Sequence, residues 1–136
     1  GAASGVDRLP ALTGVRVLVV DDDADARDLV RAVLGQSGAD VVTASSTLEA
    51  LDALQRARPH VLVSDLSMPG DDGYALLHRV RALGLDREGR VPAVALTAFA
   101  RAEDRARALA AGYAVHVSKP VEPAKLVEVV ARLASR

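Results

Sequence analysis

Five short apolar runs, each ending in a polar residue and followed by a helical pattern, leave this chain few folds to choose from. Arg16-Val17-Leu18-Val19-Val20, Val41-Val42-Thr43, Val61-Leu62-Val63, Pro92-Ala93-Val94-Ala95-Leu96-Thr97 and Val115-His116-Val117-Ser118 are too short for helices and mostly rich in β-branched residues. The first run is apolar without alternation, as expected of a central strand buried on both faces. Between the runs, apolar residues recur at helical spacing. The first set is Ala26, Leu29, Val30, Val33 and Leu34; the second is Leu48, Leu51 and Leu54. The third is Leu76, Leu77, Val80 and Leu83, all expected to face inward, and the last is Leu126, Val129, Val130 and Leu133. A fourth helix, over about 102–111, is Ala- and Arg-rich and should hold to the core less firmly. Asp23 or Asp25, Ser46 or Thr47, and Asp72 suit the N-caps; Pro123 suits a first turn, and Pro59 and the Gly35–Gly38 stretch suit helix ends.

Strands alternating with helices require a parallel sheet with right-handed crossovers and helices on both faces. The expected class is α/β: one doubly wound (βα)5 domain with a five-stranded sheet in the flavodoxin-like order 2-1-3-4-5. The 136 residues suffice for one such domain. Residues 1–14, small, polar and without periodicity, read as a linker or loose lead-in to a domain at 15–136. The net charge of −1 comes without a basic block, and there are one Phe, two Tyr and no Trp. Nucleic acid as a partner therefore has no electrostatic or stacking basis. No apolar run reaches membrane-spanning length, and the absence of Cys excludes thiolate chemistry and fits a reducing, cytoplasmic setting.

In this strand order the carboxyl ends of the strands share one rim, where ligands of open α/β sheets bind. The first strand ends in Asp21-Asp22-Asp23, the third at Asp65, the fourth at Thr97 and the fifth at Lys119. Clustered carboxylates repel and raise each other's pKa unless a hard cation sits among them. Mg²⁺ takes oxygen ligands, keeps waters and partners phosphates. A Lys opposite offers a point charge to a phosphoryl oxygen, Thr97 a hydroxyl, and a carboxylate so placed can become an aspartyl phosphate.

Val19-Val20-Asp21-Asp22-Asp23, Ser64-Asp65 with Met68-Pro69-Gly70 and Asp72-Gly73, Leu96-Thr97-Ala98 and Ser118-Lys119-Pro120 together resemble the receiver domain of bacterial two-component response regulators. The resemblance covers about residues 15–134. It implies that Asp65 is the phosphoacceptor, taking a phosphoryl group from a phosphohistidine on a histidine kinase or phosphotransfer domain. Asp22 would bind Mg²⁺ directly, Asp21 through water, and the backbone carbonyl of Ser67 would complete the protein ligands. Thr97 would move onto the phosphoryl group, Lys119 would pair with it, and the Lys119-Pro120 bond would be cis. It further implies self-phosphorylation and slow dephosphorylation, with the fourth helix and the last two strands as the surface that changes, and pairing into a homodimer as an option. The lead-in and the Ala98–Arg105 segment are similar to receivers appended to hybrid sensor histidine kinases. One position departs from the pattern: the aromatic switch residue three before the Lys is His116 here. Phe99, two residues after Thr97, is placed to shield an acyl phosphate.

Rival readings fit less well. As a calcium loop, Asp21-x-Asp23-x-Asp25 has Ala26 and Ala32 where Gly and Glu belong. A haloacid-dehalogenase-type phosphatase would carry Thr or Val at position 25, which is Asp. Neither a dinucleotide Gly fingerprint nor a Walker loop occurs. His60 and His78 sit at no metal-ligand spacing. The remaining alternative is an interaction module of the same fold that is not phosphorylated; it predicts loss of a site residue, and none is lost.

Overall fold

The computed structural model describes residues 9–84, 91–98 and 101–135. Strands β1 (Arg16–Val20), β2 (Asp40–Ala44), β3 (Val61–Asp65), β4 (Ala93–Thr97) and β5 (Val115–Ser118) alternate with five helices. These are α1 (Ala24–Gln36), α2 (Thr47–Ala57), α3 (Gly73–Leu83), α4 (Ala102–Ala111) and α5 (Pro123–Ala134). All four strand pairings are parallel, in the order β2-β1-β3-β4-β5. This is the doubly wound architecture that the alternation predicts.

The period of two along each strand divides the core between the sheet's faces. Val17, Val19, Val61, Val63, Val94 and Leu96 pack with Val30 and Leu34 of α1 and Leu126, Val129, Val130 and Leu133 of α5. Leu18, Val20, Leu62, Ala93 and Ala95 face the other way, against α2, α3 and α4. Both faces are dry at β1, where Val17 to Val20 are wholly buried.

The helix starts follow the sequence signals. Asp23, Ser46 and Asp72 are the N-caps of α1, α2 and α3, each accepting from backbone N–H groups of the first turn. Pro123 opens α5. At the far end of α2 the chain turns at Arg58, in the left-handed region at φ 48°, one residue before Pro59. Arg16 reaches across to the exposed carbonyl there, Nη2 donating to Arg58 O at 2.9 Å.

Three leucines counted on inward stripes lie outside. Leu29, Leu48 and Leu83 are more than half exposed. Leu48 and Leu83 sit in the terminal turns of their helices. Leu29 loses the inward place to Val30 and Leu34, the residues of α1 that are buried. In α4 only Ala108 is buried, in keeping with its weak apolar stripe. Leu12, within the segment read as lead-in, is fully buried against the α1–α5 face. Its N–H donates to Ser37 O at 2.7 Å, and Gly38 leaves room for Thr13 beside it, where a Cβ would meet Thr13 Oγ1 at 3.0 Å. Phe99 falls outside the described residues. None of the described helices is long and apolar enough to cross a membrane.

Candidate functional site

The parallel register brings the four strand ends to one rim. Val20 lies opposite Ser64, Asp65 opposite Leu96, and Thr97 opposite Ser118, so the residues at or just past each end are neighbours. Asp21 follows β1 directly and is 1% exposed, while Asp22 points to solvent. Asp21 is fixed on three sides. Its N–H donates to Ala44 O at 3.2 Å, its Oδ1 accepts from Asp23 N at 2.9 Å, and its carbonyl accepts from Arg27 Nη1 at 2.7 Å.

Asp65 closes β3 and is 5% exposed. Its Oδ1 accepts from Ser67 N at 3.4 Å and lies 3.3 Å from Lys119 Nζ. The same ammonium lies 3.4 Å from Asp21 Oδ2, so one cation bridges the two buried carboxylates. Lys119 is held in place by its own backbone: its N–H donates to Thr97 O at 2.8 Å, and the Lys119-Pro120 bond is cis. Thr97, the last residue of β4, is buried at the same rim.

The electrostatics are under-compensated. Burial raises the Asp65 pKa and the Asp21 charge raises it further; Lys119 and the Ser67 N–H pull it down without winning. For Lys119, burial works against the ammonium, but the two carboxylates outweigh it and its pKa lies above the ordinary value. Carboxylate oxygens of Asp21, Asp22 and Asp65 all lie within 4.8 Å of one another. An all-oxygen set with one ammonium among three carboxylates suits a hard divalent cation, which would offset the burial and the repulsion that together raise Asp65.

The loop that leaves Asp65 is braced from several directions. Met68 is buried, Thr47 Oγ1 donates to Asp71 O at 3.0 Å, and Asp71 pairs with Arg79 at 2.8 Å. Gly73, the first residue of α3, packs on the Asp65 backbone so closely that a Cβ would stand 2.5 Å from Asp65 O. Tyr113 Oη donates to Gly73 O at 2.6 Å. Arg27, Thr47 and Tyr113 carry no motif of their own, and only the structure reveals their part in the site; Gly73 belongs to the Asp72-Gly73 motif, but its contact with the Asp65 backbone is seen only in the structure. Gly73 could have been suspected, because a Gly opening a helix where Ala is favoured asks for a steric reason.

His116 lies on β5 opposite Ala95, two residues before Thr97 along β4. It is partly buried, and its Nε2 is enclosed without a hydrogen-bond partner among the described residues. Burial lowers its pKa, Arg105 and Lys125 add to that, and Asp104 opposes.

Comparison with known proteins gives a consistent answer. The response regulator receiver domain family matches residues 17–131. The chain is 46% identical over 122 residues to an uncharacterized 14.6 kDa protein of Leptolyngbya boryana, covering 90% of this chain and 92% of that one. It is 38% identical over 120 residues to the sensor histidine kinase RcsC of Salmonella typhi, covering 88% of this chain and only 12% of the kinase. Among solved structures it is similar to the receiver domain of sensor histidine kinase PA1611 from Pseudomonas aeruginosa PAO1, described with a magnesium ion coordinated in its active site cleft. That likeness has a TM-score of 0.80 at 30% identity and covers 91% of this chain and 100% of that one.

Proposed function

This chain belongs to the response regulator receiver domain family, a phosphoacceptor module of two-component signalling, and on that premise we propose that Asp65 is its phosphoacceptor. The observation that carries the assignment is the bridging of Asp65 and Asp21 by one ammonium beside an oxygen cluster fit for a divalent cation.

Mg²⁺ suits that donor set, with Asp21, Asp22, Asp65 and the Ser67 carbonyl to hold it; when bound it neutralises carboxylate and phosphoryl charge. The chain's own residues do the rest. An Asp65 carboxylate oxygen attacks the phosphorus of a phosphohistidine, the P–N bond breaks, and the departing imidazole takes a proton. Lys119 exchanges Asp65 for a phosphoryl oxygen, and the Thr97 hydroxyl donates to another. Water attack on the acyl phosphate returns the carboxylate, so the domain both phosphorylates and dephosphorylates itself. The donor is a histidine kinase or phosphotransfer domain in the cytoplasm. Parentage in a hybrid kinase is supported by the match to a short part of RcsC. The packing of Leu12 and Leu9 against the α1–α5 face supports a domain that begins before residue 15.

Intact mass after incubation with Mg²⁺ and a small acyl-phosphate donor tests this. One labile phosphate is expected on the wild type, none on Asp65→Asn, and none in EDTA. A folded wild type that takes no phosphate from this donor or from a phosphohistidine would sink the assignment and leave the non-phosphorylated interaction module.

A further inference from the structure

Tyr113 lies between α4 and β5, outside the motifs, and is one of the largest side chains wholly inside the protein. Its ring would fill that space as Phe. A phenol buried this deeply adds a group that must find a partner. The partner is the Gly73 carbonyl, at 2.6 Å. A carbonyl oxygen has two lone pairs, so Gly73 can serve its own helix and the phenol together. Gly73 in turn rests on Asp65: its N–H donates to Leu66 O at 3.2 Å, and a Cβ built on it would meet Asp65 O at 2.5 Å, Leu66 Cα at 2.9 Å and the Leu66 Cδ2 methyl at 3.1 Å. Ser64 joins the same group, its Oγ donating to Asp65 O at 3.0 Å. The phenol's end of the network is equally well fixed, with Tyr113 N–H on Ala108 O at 3.1 Å and Ala114 N–H on Ala93 O at 2.8 Å.

We propose that Tyr113 is a positioning residue for the phosphoacceptor. Its hydroxyl pins the first residue of α3 against the Asp65 backbone and thereby sets the 65–73 loop for metal binding and phosphoryl acceptance. The inference rests on the reading of Asp65 as acceptor.

Tyr113→Phe removes one oxygen and keeps the ring. Leu12→Ala serves as a control that loses packing on the opposite face of the sheet. For each protein the Mg²⁺ affinity is measured by calorimetry, and the phosphorylation rate at saturating Mg²⁺ and acyl-phosphate donor by intact mass, well below its unfolding temperature. Tyr113→Phe should weaken Mg²⁺ binding or slow the saturated rate by about fivefold, as befits one lost buried hydrogen bond. Leu12→Ala should do neither, though it unfolds at lower temperature. Wild-type values in Tyr113→Phe, or equal losses in both variants, would overturn the proposal. So would a Tyr113→Phe protein that does not fold, since the hydroxyl would then serve structure alone. An inert wild type would instead remove the Asp65 reading, and this one with it.

Discussion

Replacing Gly73 by Ala puts one methyl group where the structure has no room. The added Cβ would lie 2.5 Å from Asp65 O and 2.9 Å from Leu66 Cα, both backbone atoms that cannot swing aside. Overpacking of this kind costs about 1–3 kcal/mol, and rigid neighbours place Gly73 at the upper end. Ala is the better helix former by up to about 1 kcal/mol, which offsets part of the loss. A net destabilisation of about 2 kcal/mol remains, or a fall in Tm of roughly 8 °C for a domain of this size. The strain is relieved by moving the Asp65 carbonyl, so the carboxylate moves as well. Displacements approaching 1 Å at a reacting group cost up to about a hundredfold in rate, and a loss of at least about tenfold in phosphorylation is expected. Calorimetry and timed intact-mass measurements on the same sample read both. A variant as stable as the wild type, phosphorylated at the normal rate, would refute the claim that α3 is seated on the phosphoacceptor backbone.

Two further outcomes follow from the site and the core. Without metal, Asp65→Asn should be more stable than the wild type at neutral pH. The folded protein raises the Asp65 pKa, so ionising this group costs stability as pH rises from about 3.9, the unfolded value, through the folded one. The advantage of Asn should therefore vanish below about pH 4 and be complete above the folded pKa. Saturating Mg²⁺ should close the gap by stabilising the wild type; denaturant midpoints across pH, with and without Mg²⁺, would show a flat difference if the reasoning fails. Leu12→Ala should lose about 2–3 kcal/mol from the cavity it leaves, and a midpoint unchanged from wild type would mean that the 9–14 segment does not belong to the folded unit.

Much of this was readable from residue types because local signals and global packing agree. Val17 to Val20 are apolar without alternation and do have both faces covered. Asp23, Ser46 and Asp72 have short side chains that can turn back onto the next backbone N–H groups, and they do so. Sequence spacing gives a helix its face but not which of its residues end buried, which is why Leu83, expected to face inward, lies outside. Leu9-Pro10-Ala11-Leu12 is short and interrupted by Pro, so it shows no clear period that would mark Leu12 as core. Asp21, Asp65, Thr97 and Lys119 were legible because each ends an apolar run, and strand ends converge. Gly73 and Tyr113 meet across 40 residues through a backbone carbonyl, a contact that leaves no trace in side-chain chemistry.

The bond between Lys119 and Asp21 joins residues 98 positions apart, and Asp65 and Thr97 lie between them in the chain. A growing polypeptide therefore carries Asp65 long before it carries the ammonium that faces it. No folding intermediate lacking β5 can display the complete rim, and local unfolding of that edge strand dismantles it. On the reading of Asp65 as acceptor, phosphoacceptance depends on β5 as well as β3, and a chain cut before Lys119 should not take the label.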